Sequence, residues 1–237
     1  MKNILLLHGW DYELYSKKTK SDDAWNEYKV FLNMLNKHYN VYTINFPGFC
    51  GEIEPSKKEW DIEDFSKYVL NYIKKININF DIILGYSFGG AVSIDLVQRF
   101  NLKCILVLIA QAIIRNVGKS KDFIKTPKIF NILRKTLRNL YVSYIIKTPE
   151  MKYGTQFLKN TYQIIVRKNL KQELLKINPK RVILIYGTED TAVDPENINK
   201  SLSNTYKINL IEGANHDNIL TEKDYIDKIE NIIISET

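Results

Sequence analysis

Among its 237 residues the sequence has only two cysteines and three histidines. Cys50 and Cys104 cannot make a disulfide framework, and neither sits in metal-ligand spacing. Cys104 opens an apolar run and reads as a buried thiol, which suits a reducing compartment. No apolar stretch approaches the roughly 20 residues of a membrane-spanning helix. The apolar run at residues 4–7 is too short for the core of a secretory signal, so a soluble, cytoplasmic protein is expected. No repeat, low-complexity tract or nucleotide-binding fingerprint is present, and no cofactor or metal is implied. Hydrophobic residues at 45% and charged residues at 26% exclude an intrinsically disordered chain.

Acidic residues are scarce in one place. Residues 115–181 contain seventeen Lys and Arg against Asp122, Glu150 and Glu173, a local net charge of +14. The rest of the chain carries −7, so the overall +7 is an average over two unlike parts. That segregation predicts that whatever approaches the basic segment is anionic. No nucleic-acid motif accompanies it, and nucleic acid is not expected as a partner.

A chain of this length suits one α/β domain of about 200–250 residues with an insertion. Short runs rich in Ile, Val and Leu recur at residues 4–7, 41–45, 81–84, 104–109, 182–186 and 206–211. They do not alternate, which predicts strands covered on both faces in a parallel sheet. Helical spacing marks residues 23–37, 60–75, 88–99 and 221–234 as outer helices, giving βαβ units with right-handed crossovers. Between residues 109 and 182 only helical patterning appears. Thr126-Pro127 and Thr148-Pro149 read as helix starts there, and Asn178-Pro179 as a stop. The division expected is a core of 1–112 and 179–237 with a helical insertion at 113–178.

The chemistry gathers at the predicted carboxyl ends of strands. Gly85-Tyr86-Ser87-Phe88-Gly89-Gly90 joins a strand to a helix, and the glycines flanking Ser87 let that sharp turn pass its neighbours. A serine nucleophile needs a base, and the base an orienting acid. His38, beside Lys37 and Tyr39 at a polar helix end, reads as solvated. His8 precedes Gly9-Trp10 after the first strand. His216 lies in a loop after the last strand, free to swing over the sheet, and is the base expected. Asp190 ends the penultimate strand and is the acid expected, with Glu189 and Asp194 as rivals. Asp194 before Pro195 also reads as a helix cap.

In this order the motifs resemble the α/β-hydrolase superfamily. Leu7-His8-Gly9-Trp10 is similar to its oxyanion loop, and Gly85–Gly90 to its nucleophile elbow. Gly187-Thr188-Glu189-Asp190 is similar to its acid loop, and Gly213–Asn218 to its histidine loop. Asn45-Phe46-Pro47-Gly48 resembles its acid-x-Pro-Gly element, with Asn in place of Asp. The chain begins at the family's third strand, so the resemblance implies a minimal, mostly parallel six-stranded sheet flanked by helices, with an inserted helical lid. It also implies a Ser87–His216–Asp190 triad and an oxyanion hole from the N–H groups of Trp10 and Phe88. His8 is then a brace for its loop. Tyr86, with Trp10 and Phe88, would line an apolar acyl pocket.

The expected activity is a serine hydrolase cleaving a small-molecule carboxylic ester or thioester. The His-Gly-Trp opening and small lid resemble biotin-pathway carboxylesterases that act on an acyl chain held by an acidic carrier protein. That likeness raises a carrier dock formed by Arg134, Lys135, Arg138, Arg167, Lys168 and Lys171. Two alternatives stay open. One is a non-catalytic small-molecule-binding member; the other is a lipid or monoglyceride hydrolase docking on anionic membrane, with Phe123, Phe130 and Ile132 on an amphipathic surface. Acyl length, the leaving group, and ester against C–C bond cleavage are not fixed by the sequence.

Overall fold

A computed structural model describes residues 1–15, 22–114 and 149–237. Six strands form one sheet: β1 (Lys2–Leu7), β2 (Tyr39–Ile44), β3 (Ile82–Tyr86), β4 (Ile105–Ile109), β5 (Val182–Gly187) and β6 (Ile208–Ile211). Their order is β2-β1-β3-β4-β5-β6, and each neighbouring pair is parallel. The expected six-stranded sheet is therefore present. Successive side chains of a strand point to opposite faces, and the two sets enter separate cores. Leu5, Leu7, Ile83, Leu106, Leu108, Leu184 and Tyr186 face one; Ile4, Leu6, Leu84, Val107, Ile183 and Ile185 face the other. Since both faces are covered, continuous apolar runs replace alternation.

The first core is covered by α2 (Ile62–Ile76), α3 (Phe88–Arg99) and α7 (Pro195–Leu202). The second is covered by α1 (Lys29–Leu35) and α8 (Lys223–Glu236). Helix α2 starts with a capping box, in which Asp61 and Asp64 each accept the other's backbone N–H at 3.1 Å. Helix α3 flanks the sheet as its sequence suggested, but its other side is covered too. Every residue from Phe88 to Val97 is buried, because α2 covers the face turned away from the sheet. Its buried Asp95 is neutralised by a two-pronged bond from Arg99, at 2.9 and 2.8 Å, and accepts from Ser66.

Two further expectations shift at their edges. The helix expected over 23–37 is a 3₁₀ turn (Asn26–Tyr28) followed by the shorter α1. Asp23 accepts from Trp25 N and Thr43 Oγ1, and Ala24 N donates to Asn45 Oδ1. These bonds hold residues 23–25 against the end of β2 and out of the helix. Asn178-Pro179 does not stop a helix; Asn178 caps a 3₁₀ turn at Pro179–Arg181.

Of the insertion, three helices are described: α4 (Pro149–Tyr153), α5 (Gln156–Ile165) and α6 (Lys171–Leu174). Phe157, Leu158 and Ile165 of α5 join the first core. The buried Thr161 accepts the Trp60 N–H at 3.0 Å, and Leu170 N donates to Ile113 O at 2.9 Å. Tyr206, expected within β6, lies ahead of it and donates its hydroxyl to Leu174 O and Ile177 O. Thr126-Pro127, the apolar trio Phe123, Phe130 and Ile132, and Arg134, Lys135 and Arg138 lie outside the described residues.

Candidate active site

Ser87 stands between the end of β3 and the first turn of α3, with φ 48° and ψ −115°. That backbone is costly for a residue with a side chain. It is held because Ser87 N donates to Ile109 O at 2.9 Å, while Gly90 N donates to Ser87 O at 3.0 Å. The flanking glycines are required by space. A Cβ on Gly85 would lie 2.5 Å from the Gly90 backbone, and one on Gly89 only 2.0 Å from Leu7 O.

His216 Nε2 lies 3.0 Å from Ser87 Oγ, and His216 Nδ1 lies 2.8 Å from Asp190 Oδ2. A carboxylate only accepts, so Nδ1 carries the proton and Nε2 is left to accept from the serine. Asp190 is buried, and its other oxygen accepts the N–H groups of Ala192 and Val193, both at 2.9 Å. The rivals are placed elsewhere: Asp194 caps α7 by accepting Asn197 N at 2.9 Å, and Glu189 is exposed. Thus Ser87, Asp190 and His216, distant in sequence, form one hydrogen-bonded relay.

The histidine loop is pinned rather than free to swing. Asn215 Oδ1 accepts from Asp217 N and Asn218 N, and Asn218 Oδ1 accepts from Asn215 N at 2.7 Å. Tyr86 donates its hydroxyl to His216 O at 2.7 Å. Burial pushes the Tyr86 phenol well above its usual range, so it remains a neutral donor. Asn residues on both sides of a loop histidine were the available signal for this turn chemistry; nothing in sequence announced the tyrosine clamp.

His8 lies buried beneath the other side of the site. Phe46 N donates to His8 Nε2 at 3.0 Å, so Nδ1 carries the proton and donates to Gly9 O at 2.7 Å. Burial lowers its pKa to about 4, which keeps the ring neutral. The third histidine, His38, is paired with Glu230 at 2.8 Å rather than merely solvated. Both cysteine thiols are pushed up to about 11, chiefly by burial, and stay protonated at neutral pH.

Above the relay lies a cavity of about 770 Å³. Trp10, Tyr86 and Phe88 line it, and Trp10 packs edge-on against Phe88 and tilted against Tyr162 of α5. Phe88 opens α3, where a backbone N–H has no partner within the helix. The lining is less apolar than expected: Asp11, Glu13, Glu27 and Asp217 take part, and Lys168 is the one lysine of this lining among the described residues. Desolvation, Asp11 and Glu13 raise the pKa of Glu27. Residues 115–148 of the basic segment, on which an anionic approach was expected, lie outside the described residues. Lys168 lies 4.0 Å from Asp61. Among the described residues, no group of three or more His, Cys, Asp or Glu is placed to hold a metal, and no helix is long and apolar enough to cross a membrane.

The model of the alpha/beta hydrolase family matches residues 4–227. A Mycoplasma genitalium protein, named provisionally as esterase/lipase 2, is 25% identical over 195 residues, 70% of this chain and 68% of its own length. Among solved structures, a monoacylglycerol lipase of Paleococcus ferrophilus superposes with a TM-score of 0.59 at 18% identity, covering 99% of this chain and 94% of that one. A meta-cleavage product hydrolase of Pseudomonas fluorescens superposes with a TM-score of 0.60 at 17% identity, covering 100% and 90%. At such identities these structures speak for the fold.

Proposed function

The chain belongs to the alpha/beta hydrolase family, and from that membership we propose that it is a serine hydrolase of carboxylic esters or thioesters. One observation carries the reading: the Ser87–His216–Asp190 relay, with distances of 3.0 and 2.8 Å, whose Ser87 and His216 line a cavity. Ser87 Oγ attacks the substrate carbonyl as His216 Nε2 takes its proton. The N–H groups of Trp10 and Phe88 hold the oxyanion; one such donor is worth about 10²–10³ in rate. Collapse expels the alcohol or thiol, which takes the proton from His216, and leaves an acyl-Ser87. Water, activated by the same histidine, then releases the acid. Asp190 keeps the imidazole in the required tautomer and stabilises its charged form.

The division into a core of 1–112 and 179–237 and a lid of 113–178 is part of the proposal. So is a soluble, cytoplasmic setting. A carrier dock rests on three basic residues outside the described chain and on Arg167, Lys168 and Lys171, so the reading proposed is of a small-molecule ester without a carrier.

Hydrolysis of p-nitrophenyl esters of graded chain length tests this function, together with labelling by a fluorophosphonate. Ser87→Ala is expected to abolish labelling and lower kcat by about 10⁵–10⁶. Asp190→Asn is expected to cost about 10⁴. Full labelling or turnover in Ser87→Ala would sink the assignment.

A further inference from the structure

Tyr86, the residue before the nucleophile, is only 5% exposed and touches three parts of the site. Its hydroxyl donates to the His216 carbonyl at 2.7 Å. Its ring lies against the His216 imidazole, with centroids 5.7 Å apart and planes 30° apart. It also packs under the oxyanion loop, where a Cβ on Gly9 would stand 3.1 Å from Tyr86 Cδ1. Tyr28 meets the ring edge-on at 5.8 Å, so the side chain is held on several sides.

The other bonds of the histidine loop do different work. Gly213 N donates to Thr188 Oγ1 at 2.9 Å, and Glu189 N donates to Ala214 O at 2.9 Å. These tie the base of the loop to the acid loop, and so bring His216 to Asp190. The bonds between Asn215 and Asn218 stay within the loop. Among the hydrogen bonds of the described residues, that of Tyr86 joins the tip of the loop to the nucleophile's strand, apart from the relay itself. It closes a short ring. Ser87 Oγ meets His216 Nε2 at 3.0 Å, His216 O meets Tyr86 Oη at 2.7 Å, and one peptide bond returns from Tyr86 to Ser87. The nucleophile–base distance is thus set locally, by a side chain that the nucleophile's own strand carries. Reacting groups tolerate little error in such distances, since 1 Å of misplacement can cost about 10² in rate.

We propose that Tyr86 is a positioning residue, which sets the Ser87–His216 distance through its hydroxyl and ring, and that its place on the cavity wall is secondary. This rests on the serine-hydrolase reading above. Tyr86→Phe keeps the ring and removes the hydroxyl, and Tyr86→Leu removes both. Each is compared with the native protein in turnover of p-nitrophenyl butanoate and in the rate of fluorophosphonate labelling. Acylation and deacylation both pass a proton through His216, so kcat is expected to fall while KM stays unchanged. The expected loss is about tenfold in Tyr86→Phe and about a hundredfold in Tyr86→Leu, with the labelling rate falling in parallel. A residue that only walled the pocket would instead raise KM and alter the preferred acyl length. The proposal is overturned if Tyr86→Phe keeps the native kcat and labelling rate, or if the loss falls on KM. It is also overturned if Tyr86→Phe lacks the native near-ultraviolet circular dichroism, for the hydroxyl then holds the fold rather than the histidine. Failure of the hydrolase reading looks different: the native protein itself is neither labelled nor turns over any ester.

Discussion

His8 and His216 are both loop histidines at strand ends, yet their surroundings give them opposite work. His216 is partly open and holds Asp190 and Ser87 on its two nitrogens. His8 is sealed, with both nitrogens committed to backbone groups. Its ionisation should therefore appear in stability. The folded pKa, about 4, lies below the unfolded value of 6.5. Above pH 6.5 the ring is neutral in both states and the contribution is fully present. Between pH 6.5 and 4 the unfolded chain takes up a proton that the native state refuses, and stability falls by an amount on the order of 3 kcal/mol. Urea unfolding across that window, with His8→Gln as reference, is expected to show a pH slope that the variant lacks. An equal slope in both proteins would refute it. At this scale the sequence made the relay legible because serine, acid and histidine each stood in a loop after a strand. The Tyr86 clamp was not legible, since it depends on which atom falls opposite the hydroxyl in three dimensions.

Helix α3 and strand β1 meet at Gly89 with no room for a methyl group, the obstacle being the main-chain Leu7 O at 2.0 Å from a Cβ. Neither element can retreat. Leu7 is paired on both sides, to Ile44 and to Gly85, and α3 is buried along most of its length. Gly89→Ala should therefore cost more than about 4 kcal/mol. For a chain of this size that is a fall of about 10 °C or more in Tm, readable by calorimetry. A loss under about 1 kcal/mol would show that the helix can shift. Elements were legible in kind because parallel strands need unbroken apolar runs. Their ends were less so. Tyr206 is as apolar as a strand residue but spends its hydroxyl on α6, and residues 23–25 are held by side-chain bonds that periodicity does not register.

Across the whole molecule, composition divided the chain into a basic segment and a mildly acidic remainder, and the remainder supplies the carboxylates on the described cavity wall. Net charge reported a segregation but not which surface faces the cavity, since residues as far apart in sequence as Asp11, Glu27 and Asp217 meet on one wall. The insertion also proved less separate than its lack of strands suggested. Thr161 bonds to Trp60 and Leu174 to Tyr206 on the core side, and α5 shares the first hydrophobic core.

The serine's backbone has a consequence for the order in which competence appears. No local sequence preference holds φ 48° at Ser87; the bond to Ile109 O does so, and that carbonyl is in place only when β4 has paired with β3. The histidine and aspartate arrive from β6 and β5, still farther along the chain. On the proposed reading, a partly assembled chain thus carries Ser87 before its bonds to His216 and Asp190 exist, and the serine is not yet activated. On dilution from denaturant, fluorophosphonate labelling should return no earlier than the near-ultraviolet circular dichroism of packed aromatics. Labelling that precedes it would mean that the reactive turn forms by itself.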